Sequence, residues 1–153
     1  MLENVEIPEG MNPEVIEHLM YPKNYGKLEN PSCVGVAVDE KTSEYVIFYT
    51  LLEDNIIKDV KFATNGCQDT VVVGSMYTEM IKGQTTEFAQ SALGKIATKL
   101  GDMTPQQKVC AELVLNGFVA SMINAQNLAE GKEEDAHILK MEQSCEIKEN
   151  ENE

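Results

Sequence analysis

Two β-rich runs, "EYVIFYTLLED" and "NIIKDVKFAT", meet at Asp54-Asn55. Nothing else in the chain constrains the fold as strongly, because two such runs separated by a tight polar turn predict an antiparallel hairpin. The stretch "CVGVAVD" ahead of them supplies a further strand. After Thr64 the texture changes to helix: Cys67 to Lys82 closing at Gly83, a short helix from Thr85 to Ala92, another from about Leu93 to Leu100, and a long one from Pro105 to about Ala129. Upstream, "MNPEVIEHLMYP" predicts a helix with Asn12 as N-cap, Pro13 in the first turn, and Val15, Ile16 and Leu19 on one face, ended by Pro22. Strands first and helices after is an α+β order. The expected architecture is a small three-stranded antiparallel sheet with helices packed on one face, an N-terminal helix and a long C-terminal helix.

The bulk properties bound the function. A chain of 153 residues folds as one domain that buries roughly 70% of its unfolded surface and needs no covalent staple. Its four cysteines, Cys33, Cys67, Cys110 and Cys145, form no C-x-x-C, and no basic-plus-apolar leader opens the chain. Reduced thiols in a cytoplasmic protein are expected. No apolar run approaches the ~20 residues of a membrane span. Twelve basic against 26 acidic residues give a net charge of −14, which repels phosphate backbones, so neither nucleic acid nor a membrane is an expected partner. The charge is concentrated at the C-terminal end, where residues 130–153 alone carry −6. The expected organisation is an extension over residues 1–10, a domain over 11–130, and an acidic, disordered tail over 131–153. The absence of a Gly-rich phosphate loop, with His18 and His137 the only histidines, argues against a nucleotide enzyme or a hydrolase.

Chemistry points to "KFATNGCQDTVV". Asn65-Gly66 gives the backbone freedom for a sharp turn, and Cys67 then falls in the first turn of the next helix, where unpaired N–H groups stabilise a thiolate. In "MTPQQKVCAEL", Thr104 as N-cap, Pro105 at the first helical position and Gln107 completing a capping box put Cys110 near a second helix start. Two cysteines near two helix starts predict one shared site, with lowered pKa values at both.

The stretches "VIEHLMYPKNYGKLEN", "DVKFATNGC" and "MYTEMIKGQTTEFA", in this order and followed by a cysteine 43 residues after Cys67, resemble the IscU/NifU-type scaffold domain of iron–sulfur cluster assembly. The resemblance spans about Met11 to Ala129. It implies an α+β fold and a scaffold or carrier, not a turnover enzyme, that accepts sulfur from a cysteine desulfurase and passes a nascent cluster to acceptor apo-proteins. In that family three cysteines hold a 2Fe–2S cluster, helped by an aspartate and a histidine. Carried onto this sequence, the cysteine positions that match are Cys67 and Cys110. The family's first cysteine falls on Lys41, its aspartate on Ser43 and its histidine on Val109. Its chaperone-recognition segment falls on Met103 to Gln107, which keeps one proline.

Two thiolates fall short of the four protein ligands of a stable 2Fe–2S cluster, and a protonated lysine cannot ligate iron. Cys33, eight residues before Lys41, is the candidate third ligand, and Cys145 lies in the acidic tail. The expected cargo is iron or a transient 2Fe–2S cluster, with zinc as a substitute. The second reading is an adaptor that keeps the fold and its partner surface while Lys41 serves as a counter-charge to the thiolates.

Overall fold

In the computed structural model, which describes residues 13–92, 94–96 and 104–141, Asp54 and Asn55 both take left-handed backbone angles, φ 55° and 65°. Two consecutive positive φ values give the turn whose twist matches a two-residue hairpin, and Asp and Asn tolerate them best after glycine. The turn joins β2 (Glu44–Glu53) to β3 (Ile56–Thr64) with Phe48 opposite Phe62. Strand β1 (Cys33–Asp39) adds to the other edge of β2, again antiparallel, with Val38 opposite Tyr45.

The sheet has a fourth strand, which corrects the three-stranded antiparallel expectation. Strand β4 (His137–Met141) pairs with β1 in parallel, from Gly35 opposite His137 to Asp39 opposite Met141, so the order is β3-β2-β1-β4 and the sheet is mixed. This strand comes from the segment expected to be a disordered tail. Its partner lies about a hundred residues earlier in the chain, and a clasp behind it fixes the register. The Glu134 carboxylate accepts from Asn124 and Asn127 on the last helix, at 3.0 and 2.9 Å, and lies 2.9 Å from the His137 ring. The expected extension over residues 1–10, the cap at Asn12, most of the helix expected from Leu93, Met103, Cys145 and everything after Met141 lie outside the described residues.

Burial alternates along the strands, as one covered sheet face requires. Ala37, Val46, Phe48, Val60 and Phe62 point into the core, beneath α2 (Gln68–Ile81) and α4 (Pro105–Ala129). A cluster of Phe48, Phe62, Tyr77 and Phe118 fills the layer between them, with ring centroids 6.0 to 6.4 Å apart in edge and tilted contacts. Helix α1 (Pro13–Met20) packs on α2 through buried His18, whose Nδ1 lies 2.6 Å from Ser75 Oγ, and α3 (Thr86–Ser91) follows α2.

Two glycines set how closely the helices approach. A Cβ at Gly74 would lie 2.4 Å from the Phe62 ring, and one at Gly35 would lie 2.0 Å from the backbone nitrogen of Ser121. Helix α4 therefore lies with its backbone directly on β1. At 25 residues, with a mean hydropathy of 1.2 over its most apolar stretch, α4 is long and apolar enough to cross a bilayer. Here its Ala111, Leu113, Val114 and Phe118 are buried in the domain core instead.

Candidate functional site

The joint after β3 is stitched to the turn between β1 and β2. Asn65 Oδ1 accepts the Tyr45 N–H at 2.8 Å, Asn65 Nδ2 donates to the Ser43 carbonyl at 3.2 Å, and the Gly66 N–H donates to Thr64 Oγ1 at 2.9 Å. Cys67 leaves this joint as the N-cap of α2 in extended backbone, φ −79° and ψ −177°. It stands one residue before the first turn in which the sequence placed it. The residue is exposed.

Cys110 arrives from the other side. Thr104 and Gln107 close a full capping box at the start of α4, with Pro105 in the first turn. Cys110 is the sixth residue of that helix and only 1% exposed. The two sulfurs lie 4.0 Å apart. Above them the Gln106 amide points its nitrogen at both, 3.8 Å from the Cys67 sulfur and 3.6 Å from that of Cys110. Thr70 is fully buried and its hydroxyl makes no hydrogen bond of good geometry. It nonetheless sits near enough to both sulfurs to favour their ionised forms.

The two thiols differ electrostatically, which corrects the expectation that both are lowered. At Cys67 partial burial raises the pKa, but the N–H groups of Thr70 and Asp69, the Cys110 thiol and the Thr70 hydroxyl together outweigh it and bring the pKa below its ordinary value. At Cys110 burial dominates and pushes the pKa up to about 12 despite help from Thr70, with the negative charges of Cys67 and Asp69 adding to the rise. The physical difference is one helical turn. Cys67 sits where α2 has free N–H groups, whereas Cys110 lies beyond the first turn of α4, where its neighbours have already spent theirs on the helix. At neutral pH iodoacetamide should therefore alkylate Cys67 first and leave Cys110 and Cys33 nearly unlabelled until the chain unfolds, as peptide mass mapping over time would record. Equal early labelling of Cys67 and Cys110 would contradict this asymmetry.

The remaining sequence candidates sort by place. Cys33 starts β1, 2% exposed, with its sulfur 3.8 Å from the Thr50 carbonyl, and burial raises its pKa to about 12. The site lies beside the opposite end of that strand, about 20 Å away at ~3.3 Å per residue. Cys33 is not brought to the pair. Lys41 and Ser43 are exposed in the β1–β2 turn that Asn65 ties to the joint, with the Lys41 N–H on Asp39 Oδ1 at 2.9 Å and Ser43 at φ 65°. Val109 is half-buried beside Cys110. Among the described residues no third histidine, cysteine, aspartate or glutamate joins the sulfurs in a metal-binding group.

Sequence reasoning passed over Gln106 and Thr70. Both carried a readable signal: Gln106 stands four residues before Cys110, on the same helix face, and Thr70 occupies the third position of the helix that Cys67 caps.

Residues 11–127 match the family model of the NifU-like N-terminal domain. An iron–sulfur cluster assembly scaffold protein of Archaeoglobus fulgidus, IscU 1, is 31% identical over 112 residues, which cover 72% of this chain and 73% of that one. The scaffold protein IscU of Aquifex aeolicus is 35% identical over 107 residues, 68% of each chain. In a solved structure, the N-terminal part of a NifU-like protein from Brucella abortus has the same fold, with a TM-score of 0.59 at 14% identity over 76% of this chain and 94% of that one.

Proposed function

The chain belongs to the NifU-like N-terminal domain family, and on that premise we propose that it is an iron–sulfur cluster assembly scaffold whose cargo is held at Cys67 and Cys110. The observation that carries the ligand assignment is the 4.0 Å between their sulfurs. Two thiolates bound to one tetrahedral ion at about 2.3 Å each stand about 3.8 Å apart. The pair therefore needs almost no rearrangement to grip a single iron or zinc.

In a 2Fe–2S cluster each iron takes two bridging sulfides and two protein ligands. Cys67 and Cys110 suffice for one iron, and the second iron needs ligands from outside this pair. Such a half-complete site suits a cargo that must leave again. Sulfur arrives from a cysteine desulfurase at exposed Cys67, the cluster passes to acceptor proteins, and the scaffold itself turns over no small substrate. The setting is cytoplasmic, where thiols stay reduced. Binding iron requires Cys110 to lose its proton, and a bound cation supplies the charge that makes this favourable. The thiols draw their help from backbone N–H groups, Thr70 and Gln106, so neither needs Lys41 as the counter-charge that the adaptor reading gives it.

Anaerobic incubation with ferrous iron and sulfide, followed by desalting, tests the proposal. Wild type should retain iron and acid-labile sulfide in equal amounts with a visible absorption band, and Cys67→Ala or Cys110→Ala should retain at most a tenth as much. Lys41→Cys with Ser43→Asp should raise retention several-fold. That double change adds a thiolate and a carboxylate on the turn bordering the pair, and Asp is among the residues best suited to the left-handed backbone at position 43. Absence of iron and sulfide in wild type, with no gain in the double variant, would refute the scaffold reading.

A further inference from the structure

Building on that reading, in which Cys67 receives sulfur, we propose that the Cys67–Cys110 pair also releases this sulfur as hydrosulfide by closing into an intramolecular disulfide. The geometry is that of an attacking thiol and its resolving partner. Cys67 stands exposed at the end of a helix, open to a sulfur donor. Cys110 is 1% exposed and shielded from solution, and the sulfur beside it is that of Cys67 at 4.0 Å. A disulfide bond of about 2.05 Å asks the two to close by roughly 2 Å, a movement within reach of side-chain rotation at Cys67, which caps α2 and is not enclosed by it. The Gln106 amide spans both sulfurs and acts as a positioning residue, holding a donor over the path along which charge moves from one to the other.

The step balances without a metal. A persulfide on Cys67, written Cys67–S–S⁻, meets the thiol of Cys110. A bond forms between the two Sγ atoms, the bond from Cys67 Sγ to the outer sulfur breaks, and that sulfur leaves as HS⁻ with the bonding electron pair and the Cys110 proton. The outer sulfur is reduced and the two protein thiols supply the electrons. A cellular dithiol then resets the pair by thiol–disulfide exchange, becoming a disulfide itself. With Cys33 at the far end of β1 and no third metal-ligating side chain at the sulfurs among the described residues, a persulfide on Cys67 has Cys110 as its resolving thiol.

The test uses the reduced full chain under anaerobic conditions, exposed briefly to inorganic polysulfide, desalted, and analysed by intact and peptide mass. Wild type and Cys33→Ser should become about 2 Da lighter through a Cys67–Cys110 disulfide, whereas Cys110→Ser should become about 32 Da heavier through a stable Cys67 persulfide. Cys67→Ser should leave Cys110 unmodified, and Gln106→Leu should slow the appearance of the disulfide several-fold without preventing it. A wild type that keeps the added sulfur on Cys67, or a Cys110→Ser variant that loses it as fast as wild type, overturns the inference. Reconstitution from iron and preformed sulfide bypasses this step. A cluster that forms where no disulfide does would therefore overturn the inference alone. A disulfide without any cluster would support the inference and overturn the scaffold reading.

Discussion

Gly35→Ala should destabilise the protein by about 4 kcal/mol and separate the two sulfurs of the site, although it adds one methyl group far from either. The added Cβ would lie 2.0 Å from the Ser121 nitrogen, 2.4 Å from the Ala120 carbonyl carbon and 2.7 Å from the Ala120 Cβ. Two of those three obstacles are backbone, so no side chain can swing aside to relieve them. Ordinary overpacking costs about 1–3 kcal/mol because neighbours adjust. Here all of α4 must lift from β1 by more than an ångström. A loss of that size lowers the melting temperature of a 150-residue domain by roughly 10 °C. The functional consequence follows from connectivity, since α4 carries Cys110 and Gln106 while Cys67 stays with β3 and the β1–β2 turn. Iron and sulfide retention should fall at least several-fold. Phe118→Ala, a cavity-forming change at a fully buried position of the same helix that costs about 3–5 kcal/mol, supplies the control: comparably destabilised, it should retain cluster better than Gly35→Ala. An unchanged melting temperature in Gly35→Ala would mean that the close approach of α4 to β1 is wrong.

That prediction rests on contacts no local reading of the sequence could supply, and the same division runs through the whole molecule. The hairpin turn at Asp54-Asn55 and the capping box from Thr104 to Gln107 were legible to the residue, because each signal lies within four positions and reflects backbone chemistry. The Asn-Gly turn predicts Cys67 in the first turn, and it stands one position earlier, as the N-cap. Its place as an exposed thiol near free N–H groups survives that shift. Nearness to a helix start predicts a second reactive thiol at Cys110. What sets its behaviour is burial at the sixth position against the sheet, a tertiary fact. Cys33 could be weighed as a third ligand only while the course of β1 was unknown, since the strand's length carries it away from the site. Strand β4 was hidden for a related reason. Five residues of modest alternation within an acidic segment carry little signal, and their identity as strand comes from β1, an element far away in sequence.

Deleting residues 132–153 should therefore lower the melting temperature by roughly 10 °C, although the charge pattern alone predicts a disordered tail over this segment. Truncation removes Met141, 7% exposed and part of the core cluster, whose burial contributes about 1.5–3 kcal/mol. It also removes the Glu134 side chain and carbonyl that satisfy the Asn124 amide at 3.0 and 3.2 Å. Asn124 is 1% exposed, and its Oδ1 holds the Val34 N–H at 2.9 Å, so a stranded donor there costs a further ~1–3 kcal/mol. The two losses together come to about 2.5–6 kcal/mol, which at roughly 3 °C per kcal/mol for a domain of this size lowers the melting temperature by about 8–18 °C. The loss would reach the site as well. The Glu40 N–H donates to the Met141 carbonyl at 2.9 Å, which anchors the turn carrying Lys41 and Ser43, and β1 would become an open sheet edge prone to pairing with other chains. A chain ending at Met141 keeps every contact described for β4 and is the proper reference. Thermal unfolding of the two truncations side by side, with light scattering to follow association, decides the matter. If the shorter chain melts within 2 °C of the longer and stays monomeric to the same degree, β4 contributes nothing and the acidic segment is a tail after all.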